Sequence, residues 1–170
     1  MTIQVFRLSG DGRTPNHPRY PLIVAKAFFA NAVGDAQART VLRRLAGNGW
    51  GGGWVNGIYP FQHYHARSHE VLANLGDPVK VQFGGEAGPV LTFGTGDVAL
   101  LPAGCGHCRL DEPASLVVVG AYPAGQEDWD LKKPGADDYE AAVAEIARVE
   151  RPSRDPLTGA AGPMLDYWPV

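Results

Sequence analysis

Three histidines carry the chemistry available to this chain. His63 and His65 stand two residues apart in Gly57-Ile58-Tyr59-Pro60-Phe61-Gln62-His63-Tyr64-His65, and side chains at i and i+2 of an extended strand share a face. His107 closes the segment Gly96-Asp97-Val98-Ala99-Leu100-Leu101-Pro102-Ala103-Gly104-Cys105-Gly106-His107. Its Pro/Gly turn reverses the chain and can bring a third imidazole beside the first two. Imidazoles converging on one point suit a borderline divalent cation such as Fe(II), Mn(II), Ni(II), Co(II) or Zn(II), and the residue types do not choose among these. The next ligand-bearing stretch is Ser68-His69-Glu70. Counting by twos from His65 reaches Arg67 and then His69. A bulge or short loop between Ala66 and Ser68 would instead turn Glu70 to the same face.

The third histidine also sits inside Cys105-Gly106-His107-Cys108, the four letters of a disulfide-exchange centre. That chemistry needs the first thiol at a helix N-terminus. Arg109-Leu110-Asp111-Glu112-Pro113 and the Val-rich stretch after it cannot form that helix. Two cysteines also lack the second pair that a structural zinc site requires. Cys105, two residues before His107, is expected to line the pocket, and Cys108 to pack outward.

The elements that must position these groups read as β from residue 54 to residue 122. Alternating and β-branched runs predict strands over 54–59, 62–64, 70–74, 79–83, 90–93, 97–101, 107–110 and 116–122. Gly76-Asp77-Pro78, Gly84-Gly85, Gly94-Thr95-Gly96 and Asp111-Glu112-Pro113 separate them, the cadence of a sandwich or barrel. Before the barrel, a short strand over 3–6, a Pro-rich turn and the apolar run 22–29 form an arm. A helix follows: Asp35 can cap it, Ala38, Val41, Leu42 and Leu45 make its apolar stripe, and Gly47 can close it. Arg39, Arg43 and Arg44 on its other side read as a solvated face rather than an anion site. The stretch 47–57, with Trp50 and Trp54, fits no single period and reads as a flexible lid or a tight connection covering a pocket mouth. A C-terminal helix is expected from Asp137, with Glu140 completing a capping box and Tyr139, Ala142, Val143, Ile146 and Val149 facing inward until Pro152 stops it. The tail, with Leu165-Asp166-Tyr167-Trp168, should dock.

Taken together the residues resemble the cupin superfamily, the RmlC-like proteins. Gly57, His63, His65 and Glu70 match that family's first motif, with Gly76 one residue early; Gly96, Pro102, Gly104 and His107 match its second, with Asp111 where Asn is usual. His63-Tyr64-His65-x-x-x-His69-Glu70-Val71-Leu72 and Gly120-Ala121-Tyr122-Pro123 look like the YjlB-like bacterial subgroup. The resemblance covers roughly residues 54–122. It implies an all-β dominated fold, a double-stranded β-helix or jelly-roll barrel with one helix before the barrel and one after it. It further implies one divalent metal ion per chain on His63, His65, Glu70 and His107. Beside that set, the residues themselves leave His69 as either a neighbour of the site or pocket lining, or a surface or hydrogen-bonded structural histidine, and place Cys105 in the pocket. We read a single domain over 1–170: arm and helix over 1–53, barrel core over 54–122, and C-terminal helix and tail over 123–170.

Composition narrows the partners. The chain has 170 residues, 45% hydrophobic and 19% charged, with 22 Gly, 14 Pro and a net charge of −3, so it can bury a core without staples and presents no basic stripe for nucleic acid. No leader-like or membrane-spanning stretch is visible, and two cysteines fit a reduced compartment, so a cytoplasmic location is expected. The functional expectation is a metal-dependent enzyme of the dioxygenase or isomerase type acting on a small polar substrate; the alternative is a module that binds or senses a small ligand without turnover. No residue identifies itself as a catalytic acid or base: alternation turns Tyr64 away, and Arg67 reads as a surface arginine. The resemblance implies a homodimer.

Overall fold

A computed structural model describes residues 2–136 and 138–170. In chain order the elements are β1 (Thr2–Phe6), β2 (Leu22–Lys26), α1 (Asp35–Gly47), β3 (Trp50–Asn56), β4 (Glu70–Asn74), β5 (Val79–Phe83), β6 (Val90–Phe93), β7 (Val98–Leu101), β8 (His107–Arg109), β9 (Val118–Pro123), α2 (Tyr139–Ile146) and α3 (Pro163–Tyr167). All strand pairs are antiparallel, in a six-stranded sheet of order β1-β2-β7-β4-β9-β3 and a three-stranded sheet of order β6-β5-β8. This is the jelly-roll architecture expected from the sequence.

The central strands of the larger sheet are apolar on both faces because both faces are covered. Leu22, Val24, Leu72, Ala99 and Leu101 point between the sheets, where they meet Val81, Phe83 and Phe93 of the smaller one. Ile23, Ala25, Val71, Ala73, Val98 and Leu100 point the other way, against Val41 and Leu45 of α1 and Trp168 of the tail. Strand β4 thus has one face toward the barrel interior, carrying Glu70 and Leu72, and one toward the helical layer. A one-residue slip would exchange the two sets.

The helices differ from expectation at their ends. Helix α1 spans the predicted residues, but Gly34 takes the N-cap position and Asp35 lies in the first turn, accepting no capping bond. Asp137 lies outside the described residues; Asp138 caps α2, its side chain accepting from the Ala141 N–H, so the helix begins one residue later than a cap at Asp137 implies. The short α3 was not anticipated; it opens with Pro163 at its first position. It delivers Trp168 into the core, where its indole N–H donates to the Pro21 carbonyl at 2.9 Å.

Residues 50–56 are neither lid nor connection. They form β3, paired with β9 through a register shift between Gly51 and Trp54 that puts Trp50 in the core and Trp54 toward the barrel. Glycines 51–53 hid the first half of that strand; the second half, 54–56, lies within the strand predicted over 54–59. The arm is likewise part of the main sheet, since β2 pairs with both β1 and β7. Among the described residues no helix is long and apolar enough to cross a membrane.

Candidate metal centre

The polypeptide leading into β4 runs beside β8 before it bends. His63 N–H donates to the His107 carbonyl at 3.3 Å and His107 N–H returns to the His63 carbonyl at 3.0 Å, so two of the imidazoles belong to directly paired residues. Tyr64 exchanges 3.0 Å bonds with Lys132 one residue further on. The chain then bends at Ala66-Arg67, whose two N–H groups both donate to Asp130 Oδ1, at 2.9 and 3.0 Å. That bend breaks the alternation. Of the two ways of continuing from His65, the structure takes the one that aims Glu70 into the barrel.

His63, His65 and His107 place their ligand nitrogens within 4.8 Å of one another, and all three residues are buried. Each imidazole is held by its other nitrogen. Nδ1 of His63 meets the Phe61 carbonyl at 3.0 Å, Nδ1 of His107 meets the Cys105 carbonyl at 3.1 Å, and Nδ1 of His65 meets the Asp130 carbonyl in a short contact. A carbonyl only accepts, so each Nδ1 carries the hydrogen and each neutral Nε2 presents a lone pair. Glu70 Oε2 lies 3.4 Å from Nε2 of both His65 and His107, yet this buried oxygen accepts no well-formed hydrogen bond.

Lone pairs facing a carboxylate oxygen repel unless a cation lies among them. Donors about 2.1 Å from one ion stand about 3.0 to 3.4 Å apart at octahedral or tetrahedral angles, which matches the 3.4 Å separations. The residues therefore fit a divalent ion. Electrostatics agree. Burial pushes the His63 pKa down to about 3, helped by His107, which keeps its lone pair free at neutral pH. Glu70 is held well below the usual carboxylate range: burial opposes its charge, but His65 and His107 outweigh that. For His65 burial likewise opposes the charged form, and the Glu70 carboxylate and Asp130 carry its pKa upward. A proton on His65 would satisfy one contact with Glu70, whereas a divalent cation would satisfy all four donors.

The centre forms one wall of a cavity of about 450 Å³ that opens to solvent. Trp54, Tyr59, Tyr122 and Trp129 give it aromatic walls, Ile58, Leu72 and Leu116 aliphatic ones, and Arg109 a guanidinium. The Trp54 indole N–H donates to the Tyr122 hydroxyl at 2.9 Å. Burial, then the nearby Glu70 charge, pushes that phenol's pKa up, so it stays protonated.

Two expected neighbours of the centre lie elsewhere. His69 shares the outward face of Val71: its Nδ1 accepts from the Ala103 N–H at 2.8 Å, and its ring lies against Trp168 and Tyr20, with centroids 4.8 and 5.7 Å away. It does not line the cavity, because the Ala66-Arg67 bend gave Glu70 the inward position. Cys105 joins the apolar cluster of Leu22, Val24 and Leu101 and also lies outside the cavity wall. It occupies the turn before β8, closed by its N–H on the Pro102 carbonyl at 3.0 Å, so strand alternation from His107 does not extend to it. Burial pushes its thiol up to about 12, and Cys108 is buried too rather than facing solvent. Tyr64 packs with Ala142 and Ile146 under α2, and Arg67 remains half exposed.

Sequence reasoning missed Asp130, whose carbonyl orients His65 and whose carboxylate fixes the bend; nothing around it forms a motif. It also missed Trp129 and Arg109, although Arg109 stands two residues after His107 and alternation alone points it into the cavity.

No family model matches the chain. It is 38% identical over 166 residues to the "Uncharacterized protein YjlB" of Bacillus subtilis (strain 168), a match covering 97% of this chain and 96% of the relative. The chain belongs to the YjlB family. Solved structures similar to this YjlB-family protein include vicilin from tomato, at 13% identity and TM-score 0.39 over 75% of this chain and 33% of that one. Procruciferin, an 11S globulin from Brassica napus, follows at 9% identity and TM-score 0.38 over 85% and 39%. This chain spans between a third and two fifths of the length of those two proteins.

Proposed function

We propose that this YjlB-family cupin is a metal-dependent enzyme of the dioxygenase or isomerase type that acts on a small polar substrate. The observation that carries the reading is the one-sided site: three carbonyl-anchored imidazoles and an unsatisfied buried carboxylate oxygen converge at the wall of an open cavity. His63, His65, Glu70 and His107 would hold the ion, which when bound supplies Lewis acidity and, for a redox-active metal, access to O₂. The chain's own contribution is to keep the Nε2 lone pairs aimed, to line the space beside the ion with Trp54, Trp129 and Leu116, and to hold Glu70 in place through the protonated Tyr122 hydroxyl, which accepts from the Trp54 indole and donates to the carboxylate. Pairing of two copies belongs to the same proposal, with β1 and β3 as the edges of the large sheet.

The test is anaerobic reconstitution with Fe(II), followed by oxygen uptake and product analysis over a panel of diketones, thiols and sugars. Turnover of any member, lost in His107→Ala, is the expected result. Stoichiometric metal with no conversion across the panel, together with tight retention of a small ligand, would replace the enzyme by a binding module.

A further inference from the structure

The cavity wall is asymmetric in charge. Glu70 is the one carboxylate lining it, and Arg109 the one Lys or Arg, among the described residues. A divalent ion with a single anionic ligand keeps a net charge of about +1, and Arg109 adds another positive charge to the same space. Arg109 has little else to neutralise it. Its Nη1 donates to the Asp111 carbonyl at 3.0 Å, and its Nη2 stands 3.6 Å from Glu112, a side chain 79% exposed while that of Arg109 is 17% exposed. An exposed partner at that distance contributes little.

Position along β8 gives the spacing. Arg109 is two residues from His107 on the same strand, which separates their Cα atoms by about 6.7 Å along one face. The same cavity is lined by apolar and aromatic side chains, among them Tyr59, whose carbonyl accepts from the Arg109 N–H at 3.0 Å. We propose, building on the metal reading above, that the cavity binds an organic anion end-on: an oxygen donor of the ligand on the ion, its carboxylate on the Arg109 guanidinium, and its apolar or planar body against Trp54 and Tyr59. The ligand's carboxylate then offsets the Arg109 charge, an ionised oxygen donor would offset the charge left on the ion, and the planar fork of Arg109 sets which end enters first. The substrate class is a small carboxylate carrying a second, metal-seeking oxygen function about one ring or a few methylenes away.

Two probes separate this from the metal reading. Co(II)-loaded protein is titrated with benzohydroxamate, which can only chelate the ion, and with 4-carboxybenzohydroxamate, which adds a carboxylate across the ring; the visible Co(II) absorption reports chelation of both. The carboxylated probe is expected to bind the wild type about tenfold more tightly, the scale of a charge-assisted hydrogen bond. Arg109→Gln should abolish that preference and leave benzohydroxamate binding unchanged, while Arg109→Lys keeps part of it. Equal binding of the two probes by the wild type, or a preference that survives Arg109→Gln, overturns the assignment of Arg109. The wild-type comparison decides the matter even if a variant folds poorly. If neither probe alters the Co(II) spectrum, the metal reading itself has failed, and this inference falls with it.

Discussion

At the residue scale, the centre is defined less by which side chains it contains than by what holds them. An unrestrained imidazole exposes either nitrogen, but here the carbonyls of Phe61, Cys105 and Asp130 each fix an Nδ1. The three histidines themselves were legible, because His-x-His on one strand and a third histidine after a Pro/Gly turn follow from strand geometry. Glu70 was legible only through the family pattern, and Asp130 not at all, because its partners Ala66 and Arg67 are 64 and 63 residues away along the chain. Two predictions belong here. His107→Ala removes one of four donors and should lower divalent-metal occupancy from near one per chain to a small fraction, read by elemental analysis after dialysis. Asp130→Ala keeps all four donors but releases the bend that aims Glu70. Its metal affinity should fall about 10- to 100-fold, measured by competition with a chelating dye; unchanged affinity would mean that the bend holds itself.

At the element scale, the strands were readable where alternation and turn residues agree, and unreadable where glycine replaced pattern. Strands β4, β5 and β6 fall on the predicted residues, since branched side chains run between Gly and Pro turns. Only the second half of β3 fell in a predicted strand, the one over 54–59; its first half, Trp50-Gly51-Gly52-Gly53, offers one large side chain, and a register shift places Trp50 and Trp54 on opposite sides. The turn before β7 shows the reverse, a glycine with a defined task. Gly96 has φ +82, and a Cβ there would stand 2.6 Å from the Ala30 N atom. Its carbonyl accepts from Phe29, which ties the arm to β7, the strand whose far end pairs with Glu70. Gly96→Ala should therefore destabilise the fold by about 1 to 3 kcal/mol, read as a lower denaturant midpoint, and a midpoint within error of wild type would refute the steric argument.

At the scale of the whole molecule, the larger sheet separates two environments: the cavity with the histidine cluster and Glu70 on one side, and on the other an aromatic layer that joins the N-terminal arm to the C-terminal tail. His17 stacks on Tyr20 at 4.1 Å, Tyr20 on Trp168 at 5.1 Å, and His69 lies between this layer and the sheet. The sequence announced a docking tail but not its seat, since contacts between residues 20 and 168 leave no local trace. Both histidines use Nδ1 as an acceptor, His17 from the N–H groups of Arg19 and Tyr20 and His69 from that of Ala103, so protonating either would break these bonds inside a buried layer. Burial, then Arg19, pushes His17 down to about 4, and burial, then His17, pushes His69 down to about 3. The unfolded chain takes up these protons near pH 6.5 while the folded protein refuses them. Stability is then full above about pH 6.5 and declines as pH falls toward 4, each histidine adding up to one proton to the slope. Thermal unfolding of metal-loaded protein should show a melting temperature that drops steadily from pH 7 to pH 5, a window above the ordinary carboxylate range. His17→Phe, which keeps an aromatic ring against Tyr20, should make that dependence shallower. An equally steep dependence in the variant would remove His17 from the account and leave the acid sensitivity to His69 and the histidines of the candidate metal centre.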